Sequence, residues 1–185
     1  MKSNDLLGKP APSFDEPIEM LKACHERIAA QCRTLEKLME HLPLHGSDTQ
    51  AQQAASNIMR YFDVAAPHHH DDEERDLFPM LIETGQRQGL SMAERIASLS
   101  SEHRSLEAAW AQLRVVLADI ADGKEALLER VWVENFVGSY RAHIALEESQ
   151  VLPFAEESLD REQLATLSAA MVARRTHSRR LQARV

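Results

Sequence analysis

The sequence predicts an all-α fold, an up-down-up-down four-helix bundle with a loose N-terminal arm before it and an extra C-terminal helix after it. Three observations carry that expectation. Gly is scarce, at six in 185 residues, and aromatic residues make up only 5%, while Ala, Leu, Glu, Gln and Arg abound. Apolar residues recur at helical spacing through long stretches separated by short turn signals. One pattern also occurs twice without a gap, from His69 to Pro79 and again from His143 to Pro153.

Taken in order, residues 1–15 form the arm, since they contain Pro10 and Pro12 and lack helical periodicity. Residues 16–155 form the bundle, and residues 156–185 the C-terminal helix and a basic tail. The first helix, from about Pro17 to Glu40, carries the stripe Ile18, Leu21, Ile28, Leu35, Leu38 and Met39, with His25 among them. Pro43 and Gly46 then break the chain, which makes His41 and His45 loop histidines. A second helical region runs from about Asp48 to Glu83, with Pro67 as an expected kink or restart, because proline lacks an amide donor and clashes with the preceding turn. Ser91 to Glu94 reads as a capping box opening a third helix to about Ala121. The fourth spans roughly Lys124 to Leu152, and a fifth, from about Asp160 to Arg179, lies beyond the bundle.

Each copy of the repeat has a histidine, a glutamate four residues on and a proline ten residues on: His69, Glu73 and Pro79, then His143, Glu147 and Pro153. Four residues advance a helix by about 6 Å and stay on one face, a spacing at which two side chains converge on one ion. A single such pair is an ordinary polar i, i+4 pair; two with the same flanks favour metal. His70 and Glu74 share the spacing, but alignment with His143 and Pro153 selects His69 and Glu73. The repeat also extends outward, because His25 precedes His69 by 44 residues and His103 precedes His143 by 40.

The candidate ligands are therefore His25, His69, Glu73, His103, Glu107, His143 and Glu147. Seven side chains exceed the needs of one ion, whereas two six-coordinate ions offer about twelve positions. With Glu73 and Glu147 bridging, the histidines and Glu107 terminal, and an oxo or hydroxo group between the ions, one position stays open for a small ligand. Mixed imidazole and carboxylate ligation suits iron, manganese or zinc, and two iron ions are the expectation. The sequence contains neither ExxH, the pair of ferritin-like dimetal bundles, nor HExxH, the zinc protease helix. A metal-free bundle gains little from inward His and Glu, each costing about 1–3 kcal/mol when buried unpaired.

Around these ligands, His70 is expected as an outer hydrogen-bond donor or in solvent, and Asp71, Asp72 and Glu74 as a hydrated face. Trp110, Phe136 and Tyr140 read as core residues, Cys32 as a buried structural thiol and His177 as incidental.

The segments Tyr61 through Glu74, Leu77-Phe78-Pro79, Glu102 through Glu107, and His143 through Pro153 together resemble the hemerythrin-like proteins of the HHE cation-binding family. The resemblance covers much of residues 18–155. It implies a four-helix bundle holding a non-haem di-iron centre that binds dioxygen or a related small oxidant. Oxygen-carrying hemerythrins have a second histidine one turn after the histidine of the third helix, where this chain has Glu107. An anionic ligand there favours ferric iron, which directs the expectation toward peroxide or nitric oxide chemistry, sensing or iron handling rather than oxygen transport.

The net charge of −8 is unevenly spread: residues 171–185 hold five Arg and no acid, and the remainder has 16 basic against 29 acidic residues. That balance excludes a nucleic-acid-binding body. The tail, with Arg174, Arg175, Arg179, Arg180 and Arg184, reads first as a solvated helix end, with an acidic protein partner or the chain's own acidic surface as the alternatives. No stretch has signal-peptide character or approaches the roughly 20 apolar residues of a membrane span, so a cytoplasmic protein is expected, with Cys24 and Cys32 reduced. No nucleophile triad or phosphate-binding loop supports a hydrolase or transferase. Turnover by an oxidoreductase and sensing without turnover both remain open from sequence alone.

Overall fold

A computed structural model describes residues 13–182, with side chains described to His177. Among these residues every regular element is helical. The α-helices are α1 (Pro17–His45), α2 (Thr49–Arg60), α3 (Ala66–Asp72), α4 (Phe78–Arg87), α5 (Ala93–Ala121), α6 (Arg130–Leu146), α7 (Leu152–Ser158) and α8 (Arg161–Gln182). Three π-helical turns, π1 (Tyr61–Ala65), π2 (Glu73–Leu77) and π3 (Glu147–Val151), fuse α2 to α4 into one rod and α6 to α7 into another. With α1 and α5 these make four rods. α1 packs against α2 and α6, and α5 against the same two helices, which closes a ring around a shared interior. None of the described helices is long and apolar enough to cross a membrane.

Each π turn is followed by a proline, and the chemistry of proline explains it. Pro67, Pro79 and Pro153 have no amide hydrogen, and in a regular helix their rings would strike the carbonyls of Asp63, Arg75 and Ser149. Those carbonyls all lie within the π turns. There the chain holds one extra residue, and the bond is made five residues back instead: Ala66 N–H to Tyr61 O, Phe78 N–H to Glu73 O and Leu152 N–H to Glu147 O. Pro67 therefore does restart the helix, as expected. Pro79 and Pro153 do the same directly after the HxxxE pairs.

The interior divides into two apolar clusters. One contains Ile28, Leu35, Ile58, Phe62, Leu113, Leu117, Phe136 and Tyr140. The other contains Leu21, Leu77, Phe78, Leu81, Leu99, Val151 and Leu152, together with Leu167 and Met171 of α8. Between Leu21 and Ile28, Ala66 and Leu77, Leu99 and Leu106, and Tyr140 and Val151, each rod's buried stripe is interrupted by His or Glu. A polar layer consequently separates the two apolar halves.

Several boundaries differ from the sequence expectation. α1 runs through Pro43 to His45; Gly46, at φ 63°, ends it by donating to Leu42 O at 2.8 Å. His41 and His45 are thus helical and stacked, with ring centroids 4.4 Å apart. The Ser91–Glu94 capping box does not form: α5 starts at Ala93 without a side-chain cap, since Met92 is drawn into the core. The box occurs instead at α8, where Asp160 Oδ1 accepts from Gln163 N–H at 2.9 Å and Gln163 Oε1 accepts from Asp160 N–H at 3.0 Å. α6 begins at Arg130, six residues late, because Lys124 O accepts from Ser47 Oγ at 2.6 Å and Leu128 inserts into the core. α8 does not stand apart from the bundle: it packs on α1, α3 and π2. Residues 1–12 of the expected arm lie outside the described residues.

Candidate metal centre

The polar layer brings six of the seven candidate ligands together. His25, His69, Glu73 and Glu147 form one group, and Glu73, His103, His143 and Glu147 a second; within each, one donor atom per residue lies within 4.8 Å of the others. Glu73 directs Oε1 toward His69 Nε2 at 3.4 Å and His25 Nε2 at 3.8 Å, and Oε2 toward His103 Nε2 at 3.5 Å. Glu147 does the converse, with Oε2 3.1 Å from His25 Nε2 and Oε1 3.3 Å from His143 Nε2. Each carboxylate thus serves both groups, one oxygen to each. The π turns set this up: Glu73 and Glu147 are their first residues, held one helical turn after His69 and His143.

Outer carboxylates fix the imidazoles. Glu74 takes the Nδ1–H of His103 at 2.7 Å, Glu102 that of His143 at 3.0 Å, and Glu148 that of His25 at 3.1 Å. A carboxylate only accepts, so these bonds place the proton on Nδ1 and leave Nε2 as a lone pair. His103 Nε2 and His143 Nε2 then face each other at 3.0 Å as two lone pairs. That contact is repulsive unless a cation shares them. His25 Nε2, both ring nitrogens of His69, and all four carboxylate oxygens of Glu73 and Glu147 are buried without hydrogen-bond partners among the described residues. Converging lone pairs and unpaired carboxylate oxygens in one dry layer fit metal cations and little else.

Electrostatics without the ions reflects the same strain. Burial holds His69 well below the ordinary imidazole range and His103 down to about 2, with neighbouring histidines adding to it. Burial opposes charge on His25 too, but a proton on its Nε2 would be donated to the Glu147 and Glu73 carboxylates, and this outweighs burial and lifts the group to about 10. Burial and then the charge of Glu147 push the Glu73 carboxyl up. Protons partly substitute here for missing positive charge.

Glu107 stands apart from the expectation. It is exposed and belongs to neither donor group. The interior beside α5 is filled instead by His70, whose ring stacks on His103 with centroids 4.0 Å apart at 11°. Arg114, on the same helix, binds Asp63 at 2.9 Å. Trp110 packs 4.9 Å from Phe62 as a core-edge residue and donates to Asp63 at 3.0 Å. Cys24 and Cys32 are free and buried, and burial pushes the Cys32 thiol up to about 12.

The sequence reading missed the outer carboxylates and Asp72. Glu74 is exposed, as the hydrated-face reading expects, but it also bonds His103; it matches Glu148 in the repeat, and that second matched glutamate is the signal in the sequence. Asp72, expected on a hydrated face, is fully buried and meets Arg174 and Arg175 of α8, the latter at 2.6 Å. Arg174 also reaches Asp76. The basic tail thus turns, through these two residues, onto the chain's own acidic surface; Arg184 and the side chains of Arg179 and Arg180 lie outside the described residues. His177 is exposed.

Comparison with known proteins agrees with this geometry. An uncharacterized protein of Haemophilus influenzae is 35% identical over 163 residues, covering 88% of this chain and 92% of its own length. The hemerythrin HHE cation binding domain matches residues 16–155, the span that holds every side chain of the polar layer. The chain belongs to the hemerythrin HHE cation-binding family.

Proposed function

We propose that the layer holds two iron ions, bridged by Glu73 and Glu147, and that the protein binds or reduces a small oxidant there: dioxygen, peroxide or nitric oxide. The observation that carries this is the two donor groups sharing both carboxylates, each with two histidines. Four side chains per ion fall short of six-coordination and leave room for an exogenous ligand. Manganese or zinc would fit the same donors. Bound iron supplies the change of redox state and an open coordination position. The chain's own residues supply the rest. Glu74, Glu102 and Glu148 hold the imidazoles in one tautomer, and the apolar clusters on either side keep bulk water from the layer. The connections, the ring of contacts and the chain order support the up-down-up-down bundle as the framework.

Metal analysis of protein purified without chelators, with absorption spectra before and after dithionite, tests the reading. Two irons per chain and a near-ultraviolet band lost on reduction are expected. Correctly folded protein that takes up no iron after anaerobic ferrous reconstitution would sink it.

A second reading, iron or oxygen sensing or iron handling without turnover, is favoured by one observation. Asp72, bound by Arg174 and Arg175, is the residue before Glu73, so α8 is tied to the segment that bears a bridging ligand. On this reading α8 would present the metal state to a protein partner, in the cytoplasm. Leu167 and Met171 are buried, so truncating α8 would damage the core. The better test replaces exposed Val172 with Glu, which should weaken partner capture while leaving metal content unchanged.

A further inference from the structure

The two ion positions are equivalent in their protein donors, two histidines and two shared glutamates each. One residue breaks the equivalence. His70 follows His69, and the matching position after His143 is Ile144, an apolar residue packed on the cluster of Phe62, Phe136 and Tyr140. His70 is 5% exposed, and neither ring nitrogen has a hydrogen-bond partner among the described residues. Its ring lies parallel to His103 at 4.0 Å and edge-on to His143, 6.4 Å between centroids. Its nearest ring is therefore His103 of one donor group, with His69 of the other 5.9 Å away and tilted at 44°, and the matching position in the repeat holds no second imidazole.

The orientation argues against a further metal ligand. His70 lies face to face with the His103 ring rather than converging with it, and it is absent from both converging donor groups. It borders a small cavity instead. This space of about 60 Å³ is walled by Phe62, Leu106, Trp110 and Tyr140, with exposed Glu107 at its rim. Such a space is large enough for a water or for a ligand of two or three heavy atoms. Filling this place with an imidazole whose donor and acceptor both stay unpaired makes little sense for packing alone, where leucine would serve.

We infer that His70 is the residue that receives the exogenous small ligand, by a hydrogen bond from its ring, and that the ligand-accepting ion is the one held by His103 and His143. This rests on the proposed reading of a small-ligand centre and adds which ion is open and what meets the ligand there. A small linear anion such as azide would probe the site, since it would bind the ion and offer acceptor atoms to the His70 ring.

Azide titration of the iron-loaded, full-length ferric protein, followed by its visible absorption, provides the test, with His70→Leu and His70→Gln as variants. Iron content and release to a chelator are measured in parallel. His70→Leu should retain two irons and bind azide about tenfold more weakly, the effect of one lost hydrogen bond. His70→Gln, which keeps a donor, should recover most of the affinity. Unchanged azide affinity in His70→Leu overturns the assignment. Loss of one iron from both variants also overturns it, because His70 would then be a metal ligand. Wild-type protein that holds two irons but binds neither azide nor nitric oxide removes the small-ligand reading itself, and the role of His70 with it.

Discussion

A histidine ligand depends on what its far nitrogen touches. In this centre three of the four are oriented by glutamates that stand partly in solvent, Glu74, Glu102 and Glu148. Glu148→Gln should leave helix content unchanged and lower iron affinity about 10–100-fold, read by competition with a chelator. Glu107→Gln should do neither: its stoichiometry should stay at the wild-type value, whereas Glu73→Gln, which removes a bridging charge, should lose metal. A paired measurement of iron content on these two variants separates a rim residue from a ligand. The histidines and the HxxxE glutamates were legible in the sequence because helical spacing and the repeat specify which face they share. Glu107 lies outside both donor groups, a placement the sequence does not encode, because spacing along one helix does not say where that helix crosses its neighbours. His70 was legible only as a competitor for the ligand role, since stacking on His103 is a contact between rods that no single-helix pattern encodes.

The π turns carry the same lesson among the helices. Pro67 marks an interruption, but Pro79 and Pro153 are visible in the sequence only as parts of a motif; that each forces an extra residue into the turn bearing a glutamate shared by both donor groups follows from the carbonyls of Arg75 and Ser149, which have no amide four residues on. Replacing Pro79 with Ala restores that amide. A regular helical turn would then form, adding on the order of 1 kcal/mol to the metal-free protein and rotating Glu73 away from His25 and His103. The expected outcome is an unchanged or higher melting temperature without metal, together with weaker iron binding. A variant that melts lower without metal yet binds iron normally would contradict this account of the turn. The late start of α6 and the continuation of α1 through Pro43 had no signal of comparable strength, because they are decided by tertiary contacts of Ser47, Leu128 and Gly46.

For the whole molecule, the metal layer links pH to stability. Without metal, His25 keeps its proton up to about 10, against an ordinary value of 6.5, and the Glu73 carboxyl is likewise raised. The folded chain therefore binds more protons than the unfolded chain above pH 6.5, so stability gained from His25 is complete below that pH and is lost as pH rises toward about 10. Thermal melts of chelator-treated protein should fall across this window. Iron-loaded protein should resist the same change, since the ligands must give up their protons to bind metal. At 100-fold excess over the dissociation constant, an ion adds about 2.7 kcal/mol, or roughly 5–10 °C in a chain of this size. The fold class and the four rods were readable from composition and periodicity; the division into two apolar halves was not, as it emerges only where four interrupted stripes reach the same level. That level also ties distant parts of the chain, from His25 to Glu147, 122 residues apart. In polymer terms an ion in the first donor group would be a reversible crosslink closing loops of 44 residues, from His25 to His69, and 74, from Glu73 to Glu147; one in the second would close loops of 30, from Glu73 to His103, and 40, from His103 to His143. The entropy of the open chain, rather than the strength of any one helix, sets much of what is lost when the metal leaves.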